Sequence, residues 1–308
     1  MLKPRLVLSA CLNLEKTRYD GKLTEVPFAI KLRKFCEIVS VCPEVAIGLP
    51  VPREKLILVK RNEKIYAVKI LTGEDFTEKL ILFSKNFIQK ISEIEGFFLK
   101  SKSPSCGVSL ETKIYKDIEG KEIIGYGQGI FAKEILNTFP HLPIVDEQML
   151  KDKDILENFL IRIFTLAKFK VFKKKAKQID DLISFHKKIE WLLMSYDKIK
   201  TKQLEMVLFN NNNFLENLKI YENTFKEILT NPFKREIIGN MILCILEKSF
   251  SQEKIHSLIK KYQDKEICLM EVISYLKSLI KKQSFKKEFI EYDFEVYPEE
   301  LKELFYLN

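Results

Sequence analysis

Short apolar runs alternate with amphipathic stretches over the first part of the chain, and the two patterns predict different elements. Arg5–Ala10 (RLVLSA), Glu37–Val41 (EIVSV) and Gly96–Leu99 (GFFL) read as buried strands, and Lys55–Lys60 with Lys64–Leu71 reads as a hairpin closed through Arg61–Glu63. Phe28–Phe35 reads as a helix. Phe76–Glu95 reads as a longer one, because Phe83, Phe87 and Ile91 recur every four residues on one face. Strand and helix patterns in alternation predict an α/β, Rossmann-like domain with a mostly parallel sheet. After Pro143 the pattern becomes helical almost throughout. Ile155, Phe159, Ile163 and Leu166 share one face, and Gly239 is the only glycine from residue 130 onward. The expected organisation is an α/β domain over residues 1–166 and an all-α domain over residues 167–308, with Asn210–Asn213 as a loop.

The 308 residues and 46% hydrophobic content can build a core in each domain, and 31% charged residues of mixed sign do not suggest long disordered tracts. The first apolar run is cut by Asn13, Glu15 and Lys16, too early for a signal-peptide core. The longest later run, Met241–Leu246, is far below the ~20 residues of a membrane span. A cytoplasmic protein is expected. The formal charge of +9 points to a polyanionic partner or to a solvated lysine-rich surface.

The chemistry is concentrated in cysteine. Six cysteines without a CxxC pair, in a chain of this class, do not read as a disulfide framework or a zinc ribbon. Three of them follow predicted strands and open loops: Cys11 after RLVLSA, Cys42 after EIVSV, and Cys106 after GFFL and KSKSPS. Carboxyl ends of parallel strands gather along one sheet edge, where ligands bind. Three thiols there suit a soft metal or an iron–sulfur cluster, although a lone free cysteine is more often a small buried hydrophobe. Cys36, Cys244 and Cys268 fall in helical apolar patterns and are expected in the core.

SACL (Ser9–Leu12), TRYDG (Thr17–Gly21), VCPEVAIGLPVPRE (Val41–Glu54), KSKSPSCG (Lys100–Gly107), GQGIFA (Gly127–Ala132) and LENFLIRIF (Leu156–Phe164) occur in the order of the motifs of the thiouracil desulfidase family, which the chain resembles. The resemblance implies a [4Fe–4S] cluster held by Cys11, Cys42 and Cys106. It also implies non-redox, hydrolytic cleavage of a carbon–sulfur bond, thiocarbonyl to carbonyl. SFHKKIEWLLMSY (Ser184–Tyr196) and YPEEL (Tyr297–Leu301) are similar to the helical domain of two-domain tRNA 4-thiouridine desulfidases, with departures at Glu190, Tyr196 and Cys244. The expected substrate is therefore 4-thiouridine in tRNA. Free thiouracil or a thionucleotide is the alternative, and a non-catalytic metal-binding, nucleic-acid-binding protein is the reading from a different class.

Beside the cysteines, Glu44 is the candidate general acid or base, and Ser103 and Ser101 are candidate proton-handling groups. Loop capping is the plainer role for either serine. Lys100, Lys102, Arg18 and Arg53 are candidates for orienting an anionic substrate. Lys168, Lys170, Lys173, Lys174, Lys175 and Lys177 are candidates for RNA backbone contacts. His186 lies on the apolar face of Ile179, Ile183, Ile189 and Leu193, the usual setting of a satisfied core histidine.

Overall fold

The computed structural model describes residues 2–209, 213–246, 252–282 and 293–307. Two compact units divide between Asp152 and Lys153, so position 166 lies inside a helix, Lys153–Lys175, rather than at a junction.

The first unit is built on a four-stranded parallel sheet, ordered β2-β1-β5-β8. Its strands are β1 (Arg5–Ser9), β2 (Glu37–Val41), β5 (Gly96–Leu99) and β8 (Ile144–Asp146). Continuous apolar runs occupy the centre because both faces are covered there. Leu6, Val7 and Leu8 of β1 and Phe97, Phe98 and Leu99 of β5 are fully buried. Each such side chain contributes about 1.5–3 kcal/mol by leaving water. Register pairs Leu8 with Ser40 and with Phe98, and Phe98 with Val145, which brings the strand ends to one edge.

A second sheet, β4-β3-β6-β7, is mixed. β3 (Leu56–Arg61) and β4 (Lys64–Lys69) form the expected hairpin, turning at Asn62 and Glu63 with φ of 46° and 62°. Two adjacent positive-φ residues match the twist of a tight hairpin. β6 (Thr112–Tyr115) lies parallel to β3, and β7 (Ile123–Gly127) is antiparallel to β6.

Helix α1 (Pro27–Phe35) starts with proline, whose missing N–H costs nothing in a first turn, and buries Phe28 edge-on against Phe98. A single turn, α2 (Pro43–Ala46), follows β2. Helix α3 (Thr77–Lys90) is shorter than its apolar pattern, since Ile91 turns extended and Glu93 is left-handed at φ 53°. Phe83, Phe87 and Ile91 still pack against Phe131 and its neighbours, so the pattern tracks burial past the helix end. Phe131 belongs to α4 (Ile130–Thr138).

The second unit is all helix: α5 (Lys153–Lys175), α6 (Ile179–Tyr196), α7 (Lys198–Leu208), α8 (Phe214–Ile228), α9 (Arg235–Leu246), α10 (Gln252–Gln263), α11 (Leu269–Lys282) and a 3₁₀ segment, Glu299–Tyr306. Positions 210–212 of the expected asparagine loop lie outside the described residues, whereas Asn213 caps α8 by accepting the Glu216 N–H. Phe169, Phe172, Phe185, Tyr221 and Phe225 form one aromatic core, with centroids as close as 4.4 Å. Cys36 and Cys268 are buried as expected, but Cys244 is exposed. Ile242 faces the core of that helix, and two positions further on the side chain faces the other way. Among the described residues no helix is long and apolar enough to cross a membrane.

A buried ion pair ties the N-terminal end of α5 to α9. Arg235 Nη2 lies 2.7 Å from Glu157, and its Nε lies 2.5 Å from Asp154. Glu157 also accepts hydrogen bonds from the Tyr297 hydroxyl and the Leu269 N–H. Burial pushes its carboxyl up to about 7 against the pull of Arg235. Arg235→Ala is expected to cost the second unit about 3–5 kcal/mol, because buried Glu157 loses its cation, while Asp154 keeps Lys265. Denaturant unfolding followed by fluorescence of Trp191, the chain's one tryptophan, measures this directly. An unchanged midpoint would contradict it.

Candidate active site

The carboxyl edge of the parallel sheet opens into a cavity of about 240 Å³, and Cys11, Cys42 and Cys106 all line it. β1 delivers Cys11 through Ala10, whose N–H bonds Val41 O, and the Cys11 carbonyl accepts the Thr24 N–H. Cys42 is the residue before α2, and its carbonyl accepts the Ala46 N–H at 2.9 Å. Cys106 comes at the end of a loop that is almost wholly specified by backbone bonds. Ser103 Oγ accepts the N–H of Cys106 and of Ser105, at 3.0 and 3.2 Å. The Gly107 N–H donates to Ser103 O, and Gly129 donates to Gly107 O.

The first turn of α4 completes that loop. Its N–H groups lack partners within the helix, and Ile130 and Ala132 donate to Pro104 O and Ser105 O. The contact leaves no room for side chains. A Cβ on Gly129 would sit 2.5 Å from the Ser105 backbone, and one on Gly107 would sit 2.1 Å from Thr112 Oγ1. This is the physical content of the CG and GQG positions in the sequence.

Burial raises all three thiols. It pushes Cys11 up to about 12, with neighbouring Cys42 adding to the rise and Lys100 opposing it. Burial likewise raises Cys42, partly offset by a backbone hydrogen bond from Val45. Burial drives the Cys106 thiol well above its ordinary range; a hydrogen bond from Ser9 opposes the rise, and Cys42 and Cys11 add to it. Three thiols in mutual electrostatic contact become thiolates together only if a cation shares the recess. Soft metals and iron–sulfur clusters are the cations this donor set fits.

Glu44, buried beside them, is held on both oxygens. Arg53 Nε and Nη2 approach Oε2 at 2.8 and 2.7 Å, and Ser105 Oγ donates to Oε1 at 2.9 Å. Arg53 Nη1 donates to Thr17 O at 3.0 Å. The arginine fork thus holds Glu44 and the Thr17 loop, and its side chain is 4% exposed. Ser101 and Lys100 point to another carboxylate, Glu147. Ser101 donates to it from Oγ and from its N–H, and the Lys100 ammonium pairs with it. Burial of Glu147 opposes ionisation, but the Lys100 and Ser101 hydrogen bonds prevail and lower its pKa. Arg18 lines the cavity while pairing with Asp20, and Lys102 lines it from a left-handed backbone position at φ 55°.

Four contributors escaped the sequence reading. Ser9 and Ser105 sit inside quoted motifs, next to residues chosen instead. Thr17 lines the cavity, and its buried Oγ1 has no hydrogen-bond partner. Glu147 immediately follows β8, a strand of three residues with no readable alternation. Its place after a parallel strand was the available signal.

In the second unit, Lys168 pairs with Asp293 at 2.6 Å and Lys173 with Glu222 at 2.9 Å. Lys174, Lys175 and Lys177 are exposed.

Residues 6–147 match the model of the 2-thiouracil desulfurase family. The uncharacterized protein YbbK of Bacillus subtilis (strain 168) is 32% identical over 130 residues, which are 40% of this chain and 84% of that protein. The chain belongs to the 2-thiouracil desulfurase family. Among solved structures, the [4Fe–4S]-dependent thiouracil desulfidase TudS is 28% identical, with 48% of this chain and 94% of that one covered at a TM-score of 0.38.

Gly107→Ala is expected to destabilise the first unit by about 1–3 kcal/mol, as overpacking does. Displacing the loop should also expose the buried Cys106 thiol. Reaction of the metal-free protein with a thiol reagent would be faster in the variant. An unchanged rate would mean that Thr112 and the Ser103 carbonyl yield without moving Cys106.

Proposed function

We propose that the protein is a [4Fe–4S]-dependent desulfidase that hydrolyses the thiocarbonyl of a thiolated pyrimidine to a carbonyl, releasing sulfide. The observation that carries the reading is one cavity lined by three thiols, buried Cys106 and half-buried Cys11 and Cys42, and an arginine-held carboxylate, Glu44. Cys11, Cys42 and Cys106 would hold the cluster.

When bound, a cluster with three cysteine ligands supplies a Lewis-acidic iron able to polarise a thione. The chain's residues supply the rest. Water adds to the ring carbon and sulfur departs as hydrogen sulfide, so C=S plus H₂O gives C=O plus H₂S without an oxidant or reductant. Glu44 accepts the proton from water and returns it to the departing sulfur or the ring nitrogen. Arg53 and Ser105 fix that carboxylate in one orientation. Lys100, held by Glu147, puts a fixed positive charge at the wall. Ser103, whose oxygen caps the Cys106 loop, serves the loop first and proton transfer second.

The finer reading of substrate is 4-thiouridine in tRNA, for which exposed Lys175 and Lys177 offer phosphate contacts. Family membership favours the thiouracil ring itself, free or in a nucleotide. Sulfide release by anaerobically purified protein, measured on thiolated tRNA and on free thiouracil, decides between them. A colourless, zinc-containing protein would remove the enzymatic reading altogether.

Glu44→Gln is expected to keep its iron and sulfide content and to lose sulfide release by about 10²–10⁴-fold. Cys42→Ser is expected to lose the cluster itself. Iron analysis beside the activity assay separates the two effects. Wild-type turnover by Glu44→Gln at full cluster content would withdraw the role of Glu44.

A further inference from the structure

The second unit holds a group of side chains that the desulfidase reading leaves unused. His186 and Glu190 are four residues apart on α6 and so project from the same face. Glu205 faces them from α7, the next helix after the Asp197 connection. One ligand atom from each of the three residues lies within 4.8 Å of the other two.

His186 is 2% exposed, and its two ring nitrogens differ. Nδ1 is 3.1 Å from the hydroxyl of Tyr221, itself fully buried. Nε2 is buried and has no hydrogen-bond partner. An orphaned ring nitrogen in a protein interior is costly. With Nδ1–H donating to Tyr221, Nε2 carries a free lone pair, as does a metal-binding histidine oriented by an outer hydrogen bond. Burial also lowers the His186 pKa, keeping the ring neutral.

The two carboxyls sharpen the picture. Burial, then the charge and hydrogen bond of Glu205, raises the Glu190 pKa, and Lys187 opposes the rise. Two facing carboxylates repel unless a proton or a cation lies between them. Both are half-buried, so they can close on an ion with small side-chain rotations, while the histidine stays fixed.

We propose that His186, Glu190 and Glu205 bind one divalent transition-metal ion. One imidazole nitrogen with two carboxylate oxygens suits zinc, manganese or ferrous iron, and the nitrogen disfavours calcium and magnesium. Three protein ligands leave further coordination positions to water or to a second molecule. A bound ion would lock α6 to α7, next to the buried Trp191.

The test uses the full-length protein and zinc as the probe. Equilibrium dialysis with metal analysis compares wild type with Glu190→Gln and Glu205→Gln. Zinc held by the cysteine cavity is common to all three proteins and cancels in the comparison. Each variant is expected to bind one zinc fewer than wild type. Zinc, but not magnesium, is expected to raise the wild-type thermal midpoint read from Trp191 fluorescence, and this rise should be lost in both variants. Without zinc, both variants should melt no lower than wild type, because each removes one of two facing carboxylates. That control identifies a variant that fails to fold, and the other variant then carries the comparison. Equal zinc content in wild type and a folded variant would overturn the proposal. So would a wild-type midpoint that zinc leaves unmoved.

Discussion

The site depends on one contact, the docking of the Ser103–Gly107 loop onto the first turn of α4. A helix N-terminus presents N–H groups with no partner in the helix, and a tight loop presents carbonyls with none in a sheet. Each satisfies the other here, with Gly107 and Gly129 allowing the backbones to approach closer than any Cβ permits. Because Ser105 lies in that loop, the same contact that places the Cys106 thiol also places the hydroxyl that bonds Glu44. Candidate cluster ligand and candidate base are thereby positioned by one set of backbone bonds.

A second constraint is electrostatic. Burial makes all three thiols resist ionisation, and neighbouring sulfurs add to the rise at Cys11 and Cys106. The surrounding charges are arranged in closed pairs, Glu44 with Arg53 and Glu147 with Lys100, so neither carboxylate is left unpaired against the sulfurs. The unmet requirement is for positive charge among the sulfurs, and that requirement is what a metal centre satisfies.

The second unit follows different physics. Its core is aromatic, the start of α5 is tied to α9 by the buried Arg235 pair, and two of the lysines expected to face RNA are held by acidic side chains. A run of lysines in sequence is therefore not a continuous free surface. Lys168 is drawn onto Asp293 by a tertiary contact spanning most of the unit.

What the sequence determined by itself was local. Apolar runs marked β1, β2 and β5, and Pro43, Pro104 and Gly107 beside Cys42 and Cys106 showed where the chain must turn. Placing the three thiols together needed only the rule that parallel strands share a carboxyl edge. β6 and β7 lack an unbroken apolar run, being interrupted by Lys113 and by Gly125, and β8 has only three residues. Ser103 and Ser105 are equivalent by composition, and only the docking on α4 makes one a loop cap and the other the partner of Glu44. Arg53 looked like a substrate clamp until tertiary packing turned its fork onto a carboxylate. The pairing of Lys100 with Glu147, and of Glu190 with Glu205, likewise joins groups that sequence keeps apart. Period and turn chemistry act between neighbours along the chain, whereas hydrogen-bond partners are chosen in space, and only the folded structure decides them.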